Sequence, residues 1–295
     1  MTAKFGVCLP NFGKHLSIKA VTTVAVEAEE MGYSSVWATD HLIIPQKFSY
    51  PYGTILEALT TMTLAANETE EVSIGSSVIV LPMREPVSVA KALAAIDIIS
   101  GGRVIAGFGA GWCEGEFDNL GQNFRNRGRR LDEAIQLFRT LMRGGQVNFS
   151  GKYYRVQEGL FEPKPVQTGG PPVWVGGNSK AAYNRAVRLG DGWHFTGLSV
   201  EKAASLLENT KVREGFTVSG RFTVDLSGKS PKLTRAASGE ERAILSGKPD
   251  EVSDIIGKYL EKGVTYFVLY FGDKPAQEYV KDMQVFAQDV MSSYT

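Results

Sequence analysis

Residues 171–193, PPVWVGGNSKAAYNRAVRLGDGW, carry a strand, a glycine turn, a helix and the start of the next strand in one short stretch. Val173–Val175 is an apolar, β-branched run suited to a strand covered on both faces, and Gly176-Gly177 let the backbone turn where a Cβ would obstruct it. Asn178 or Ser179 caps a helix on which Ala181, Ala182, Ala186 and Leu189 recur at helical spacing, and Gly190 stops it. A glycine turn feeding a helix offers unpaired N–H groups and the positive end of a dipole, and Lys180 adds a cation in the first turn. Phosphate suits such a place, although a tight turn with no guest accounts for the two glycines equally well.

Outward from this unit, strand and helix alternate. Phe5–Leu9 reads as the first strand, and Ser17 caps a helix carrying Ile18, Val21, Val24, Ala28 and Met31 up to Gly32. Ser35–Thr39 is a second strand. Thr54 and Glu57 read as a capping box for a helix running to about Asn67, followed by a third strand, Val72–Leu81. Pro86 opens the next helix, Gly101-Gly102 close it, and Arg103–Phe108 is strand four. A helix over about 127–143 and a hairpin at Gln146–Val156 precede strand five at 173–176. Asp191–Phe195, Arg221–Asp225 and Thr265–Phe271 complete a set of eight, with helices starting near Val200, Pro249 and Pro275. Eight apolar strands, each followed by a helix, predict an α/β fold: a (β/α)8 TIM barrel with short insertions, a single domain over 1–295. Sites in such barrels lie at the C-terminal ends of the strands, which directs attention to Asn11, Asp40-His41, Ser77–Val80, Gly109–Trp112 and Gly176–Ser179.

Composition narrows the function. Thirty-two basic and thirty-two acidic residues balance among 295, so charge favours neither nucleic acid nor an anionic membrane. Three histidines and two distant cysteines, Cys8 and Cys113, suggest no metal site and no disulfide framework. With no apolar run of secretory or membrane-spanning length, a soluble cytoplasmic protein acting on a small molecule is expected.

Asp40-His41 after VWAT, then IGSSVIVLP, RVIAGFGAGW and PPVWVGGNS…GDGW, in this order, resemble the luciferase-like flavin or deazaflavin oxidoreductases over almost the whole chain. DHLIIP followed by SYPYG is similar to the branch that uses coenzyme F420, a 5-deazaflavin. The resemblance implies a barrel, a bound F420 or alternatively FMN, and hydride transfer. It places a non-proline cis peptide at Ser77-Val78 and cofactor contacts at Asp40, Val80, Ala110 and Gly111, with the phosphate over Gly176, Gly177, Asn178, Ser179 and Lys180. In the deazaflavin-type glucose-6-phosphate dehydrogenases, which match at Asp40 and His41, the histidine is catalytic and the aspartate meets the cofactor. Those enzymes carry a catalytic glutamate where this chain has Trp112, which argues against sugar phosphate and for an apolar or aromatic substrate bounded by Asn11, Tyr50, Tyr52 and Trp112.

Independently of the resemblance, His41 is the residue whose titration range suits proton transfer beside a hydride step, and a structural histidine capping a loop is its alternative. Glu114 and Glu116 read as a charged, solvated loop face, with replacement of the acid absent at Trp112 as the alternative. Alternate glycines in Gly107–Trp112 leave room for a ligand ring or for close packing. The competing functions are an FMN-dependent monooxygenase of the luciferase or alkanesulfonate type and a non-redox barrel, hydrolase or binding protein. Two further expectations concern surfaces. Leu56, Leu59, Met62, Leu64, Val89, Leu93 and Ile96 exceed one inward stripe and predict a homodimer, and Ser227–Ser246 predicts a mobile lid beside strands eight and one, with Lys229, Lys232 or Arg235 meeting an anion.

Overall fold

In the computed structural model, which describes residues 2–208 and 211–294, eight parallel strands close into a barrel with helices outside it. The strands are Lys4–Cys8, Ser35–Ala38, Ser73–Ser76, Val104–Gly109, Val173–Gly176, Gly192–Thr196, Thr217–Asp225 and Tyr266–Tyr270. The eighth returns to the first with Lys4 opposite Tyr266 and Val7 opposite Leu269, which closes the cylinder. Serines start several of the helices for the reason the sequence gives. Ser17 Oγ accepts from the Ala20 amide (3.0 Å) at the head of Ile18–Glu30, and Ser179 Oγ from Ala182 (3.2 Å) at the head of Lys180–Leu189.

The barrel interior is built from wide rings set against missing side chains. Trp37 is fully buried, packs 5.1 Å from Trp174 and lies parallel to the His194 imidazole, 6° between planes and 5.3 Å between centroids. Its neighbours on the adjoining strands are glycines: a Cβ at Gly6 would fall 2.6 Å from Trp37 Nε1, and one at Gly75 2.3 Å from Trp37 Cε3. The indole N–H and the Tyr266 hydroxyl both donate to Ser35 Oγ, each at 2.6 Å, so the polar atoms of these rings are satisfied inside the barrel.

Several local expectations are corrected. The third strand stops at Ser76, because Ser77-Val78 is a cis peptide and the chain resumes as Ile79–Val80, paired to Phe108 and Gly109 of the fourth strand. Thr54 takes no part in a capping box. The helix begins at Ala58, and Glu57 caps it directly by accepting from the Thr60 amide (2.8 Å). The excursion after the long helix Arg127–Leu141 is a hairpin of Gly145–Ser150 with Arg155–Phe161, longer than Gln146–Val156, and the seventh strand begins at Thr217 rather than Arg221.

Ser227–Ser246, the expected lid, carries a second hairpin, Leu233–Arg235 with Glu241–Ser246, and its Ser238, Glu240 and Arg242 line the cavity at the strand ends. Thr223–Asp225 pair with Ile244–Ser246, and the Ala243 amide donates to the Gly197 carbonyl, so it stands over the sixth strand and away from the first. Asp225 ties its base by accepting from Ser227 and Ser230. The apolar excess expected at a dimer face is largely used within one chain: Met62, Val89, Leu93 and Ile96 are buried, while Leu56, Leu59 and Leu64 pack on the core. Ile98 and Ile99 are the exposed apolar residues of that region. Among the described residues, no helix is long and apolar enough to cross a membrane.

Candidate active site

A cavity of about 450 Å³ opens at the C-terminal ends of the strands, a volume suited to a small molecule. His41 leaves the second strand into its wall, and its Nδ1 lies 2.8 Å from Glu116 Oε2. Glu116 is 2% exposed, and its other oxygen accepts from the amides of Leu42 (2.6 Å) and Ile43 (3.2 Å). Burial alone would raise this carboxyl. The hydrogen bond and charge of His41, with the two amides, more than offset that and hold it below the usual carboxylate range. An ionised Glu116 requires the proton on Nδ1, which leaves Nε2, without a partner among the described residues, to the cavity. Tyr52 and Trp112 flank the imidazole, with ring centroids 4.5 Å and 5.9 Å away.

Asp40 is adjacent in sequence but differently occupied. Its carboxylate takes Arg84 Nη2 at 2.5 Å and the Val80 amide at 3.0 Å, and Arg84 also reaches Glu57 Oε1 at 2.8 Å. Asp40 thus fixes the backbone beyond the cis bond. Ser77 and Val78 line the cavity with Val80, Ala110 and Gly111. The glycines of the fourth and fifth strands make room for this bulge before any ligand: a Cβ at Gly109 or Gly176 would meet Val78 side-chain carbons at 2.5 Å and 2.8 Å.

Beneath Ser77, His194 bridges two hydroxyls, with Nε2 2.8 Å from Ser77 Oγ and Nδ1 2.9 Å from Ser219 Oγ. Burial, aided by the charge of Arg221, pushes His194 down to about 3, so it is neutral in the fold and charged in the acidified unfolded chain. The unfolded chain therefore gains the proton first. Stability from this site is full above about pH 6.5 and is lost as pH falls from there toward 3, at most about 1.4 kcal/mol per pH unit. Urea midpoints measured between about pH 7.5 and pH 5 should fall more steeply for the wild type than for His194→Gln. Parallel slopes would contradict the buried neutral imidazole.

At the far end, Gly176–Ser179 line the cavity with Arg127, Arg185, Ser238 and Arg242. Gly177 has φ +135°, and its amide is spent on the His194 carbonyl (3.1 Å), so the free donors are the amides of Asn178 to Ala181 at the head of the helix. Asn178 is held by Thr196, donating to its carbonyl and accepting from its amide, each at 2.8 Å. Two residues lining this end, Ser238 and Arg242, each hold a buried polar atom without a partner, Oγ and Nε, while the Glu240 carboxylate beside them is held at 3.3 Å by Asn178 Nδ2. Such orphaned polar atoms, three arginines and a helix N-terminus fit the phosphorylated tail of a flavin or deazaflavin. Gly177→Val would set a Cβ 2.8 Å from Ala182 Cβ at a backbone angle that valine resists. F420 affinity is expected to drop about tenfold or more, with the barrel still folded by circular dichroism. Unchanged affinity in a fluorescence titration would move the phosphate elsewhere.

Three expected site residues stand outside the cavity. Asn11 is buried and used structurally, its amide donating to Thr39 (2.9 Å) and Leu56 (3.2 Å) carbonyls while Oδ1 accepts from Thr39. Tyr50 is 61% exposed beneath Lys14, and Lys180 points along the surface, where Nζ lies 3.3 Å from the Leu206 carbonyl. Lys229, Lys232 and Arg235 are exposed, and Arg242 of the same hairpin faces the cavity in their stead. Glu116, read from sequence chiefly as a solvated loop residue and only secondly as a replacement acid, is brought to the site by long-range contacts, and the arginines are residues that reading passed over. Arg127 and Arg185 had a signal of sorts, since each begins or shares a helix at the active face. Among the described residues no cluster of His, Cys, Asp or Glu is arranged to hold a metal.

A closed barrel, a cis peptide after the third strand and a histidine-lined cavity over its strand ends define the class, and the sequence comparison agrees. The profile of the luciferase-like monooxygenase family matches residues 3–228, and the chain belongs to that family. It is similar to the F420-dependent glucose-6-phosphate dehydrogenase of Amycolatopsis mediterranei, 28% identical over 313 residues, covering 90% of this chain and 92% of that one. It is also similar to the FMNH2-dependent dimethylsulfone monooxygenase of Pseudomonas putida, 29% identical over 64% of this chain and 52% of that one. An F420-dependent secondary alcohol dehydrogenase, solved with an F420–acetone adduct, superposes over the full length of both chains with a TM-score of 0.81 at 19% identity, a likeness of fold. The chain is an enzyme of the oxidoreductase class.

Proposed function

We propose that the protein is an F420-dependent oxidoreductase that moves a hydride between the deazaflavin and a small organic substrate, with His41 as the proton carrier. The observation that supports this best is the His41–Glu116 pair at the cavity wall, beside the Ser77–Val80 segment. F420 supplies a two-electron hydride donor or acceptor at C5 when bound. Gly176–Ser179, Arg127, Arg185 and Arg242 would hold its phosphorylated tail, and Ser77, Val78, Ala110 and Gly111 would bound its ring. Glu116 keeps the imidazole proton on Nδ1 and the ring oriented, so Nε2 takes the proton from a substrate hydroxyl as its carbon is oxidised. In the opposite direction the protonated imidazole returns it to the oxygen of a carbonyl being reduced. Tyr52 and Trp112 give that substrate an apolar wall and exclude water from the exchange.

An FMN-dependent monooxygenase is the competing reading, carried by the dimethylsulfone monooxygenase relative. The two separate cleanly in a test with a panel of alcohols and ketones under nitrogen. Growth or loss of the oxidised deazaflavin absorption with one of them supports the dehydrogenase, whereas, in a parallel run under labelled dioxygen, product formed only with reduced FMN and carrying one labelled oxygen atom would replace it.

A further inference from the structure

The cavity floor carries a charge that neither the phosphate end nor the His41–Glu116 pair uses. Arg221 lies on the seventh strand, in register with Thr196 on one side and Val268 on the other, and its side chain lines the cavity. Nη1 donates to the Ser77 carbonyl at 3.0 Å, the single hydrogen bond from this guanidinium to a protein oxygen among the described residues. The Cys8 thiol and the phenols of Tyr52, Tyr270 and Tyr279 lie around it, and among the described residues no carboxylate forms a salt bridge with it. Its guanidinium carbon stands 5.8 Å from the Phe12 ring centroid and 5.9 Å from that of Tyr270. Burial pushes the Cys8 thiol up, so no thiolate supplies the missing counter-charge.

Arg221 is half-buried at the cavity wall, where a cation with one hydrogen bond to the protein keeps donors for a ligand, and a guanidinium fork matches a planar oxyanion with two parallel hydrogen bonds. Of the other cavity arginines, Arg242, whose Nε has no partner, stands at the phosphate end, and the remaining two are engaged by the protein. Arg185 is paired with Asp132, and Arg127 donates to the carbonyls of Gly111 and Phe124. Aromatic surface connects Arg221 to the proton carrier, since Phe12 lies 5.4 Å from Tyr52 and Tyr52 4.5 Å from His41. We propose that Arg221 is a specificity-determining residue: the substrate bears a carboxylate that docks on this guanidinium, with its apolar body along Tyr52 and its reacting carbon before His41. This rests on the oxidoreductase reading above and names the substrate class for the same cavity. The dehydrogenase would then act on a hydroxy or oxo acid with an apolar or aromatic body, not on a neutral alcohol.

Benzoate and its neutral isostere benzamide test this, titrated by tryptophan fluorescence at constant ionic strength in a cationic buffer, with and without saturating F420. Wild-type protein is expected to bind benzoate at least about tenfold more tightly than benzamide, with or without F420, as a charge-assisted bidentate contact requires. Arg221→Gln should remove that preference, and Arg221→Lys, which keeps the charge but loses the fork, should retain only part of it. Equal binding of the two probes by the wild type, or an undiminished preference in a folded Arg221→Gln variant, overturns the proposal. Where Arg221→Gln does not fold, Arg221→Lys decides by the same comparison. Benzoate displaced by F420 would show that the coenzyme itself occupies Arg221, which overturns the assignment to substrate. Failure of F420 to bind at all would undo the cofactor reading while leaving the benzoate and benzamide comparison in force.

Discussion

Replacing His41 by alanine is expected to slow hydride transfer about a hundredfold to ten-thousandfold, the range supplied by a positioned acid–base group, while F420 still binds. The alanine removes Nε2 and leaves Glu116 buried against the Leu42 and Ile43 amides, which continue to satisfy one of its oxygens. Single-turnover absorbance of the deazaflavin separates the two quantities, since the amplitude reports binding and the rate reports chemistry. Glu116→Gln should cost less, about tenfold, because an amide oxygen can still accept from Nδ1 but gives the imidazolium no charge to lean on. An alanine variant with an unchanged rate would make His41 a structural residue of its loop.

The second large effect concerns folding. Gly107→Ala would place a Cβ 1.8 Å from the Ser76 carbonyl oxygen, a backbone atom held in the wall of the barrel. No rotamer relieves that contact, so the third and fourth strands must part. Ser76 also links them through its hydroxyl, donating to the Gly107 carbonyl (2.8 Å) and accepting from the Gly107 amide (3.0 Å). The expected loss is about 3 kcal/mol or more, enough to leave little soluble protein. Gly101→Ala is the control, with φ +66° and nothing within 4 Å of the added carbon, and should cost about 1–2 kcal/mol from backbone conformation alone. Urea midpoints of the two variants should differ widely. Equal midpoints would mean that the third strand yields easily, and the cavity wall with it.

Much of the barrel is legible in local patterns because its causes are local. A serine before an apolar helix stripe caps it at Ser17 and Ser179, and a proline at Pro86 opens a helix behind the Glu85 cap, whatever lies elsewhere in the chain. What escapes is set by contacts distant in sequence. Glu116 looks solvated beside Glu114, yet amides 73 and 74 residues upstream take it out of water, while Glu114 stays exposed. Asn11 sits at a strand end like any site residue and is consumed by Thr39 and Leu56. Lys180 begins the expected helix, but its side chain leaves along the surface, and Arg185, one turn further on, reaches the cavity. The alternate glycines Gly107 and Gly109 read equally as ligand space or close packing, and the backbone resolves them toward Ser76 and Val78. Arg221 hides in its strand because nothing in a single strand reveals that no carboxylate pairs with it.

Under the proposed function, this cavity takes a deazaflavin and passes hydride through it. The most direct measurement titrates the purified protein with F420 and with FMN in parallel, follows coenzyme fluorescence, and repeats both titrations with Gly177→Val. Saturable binding of F420, tighter than that of FMN and weakened by the substitution, is the predicted result. Binding of FMN alone, or F420 binding indifferent to Gly177, would contradict it.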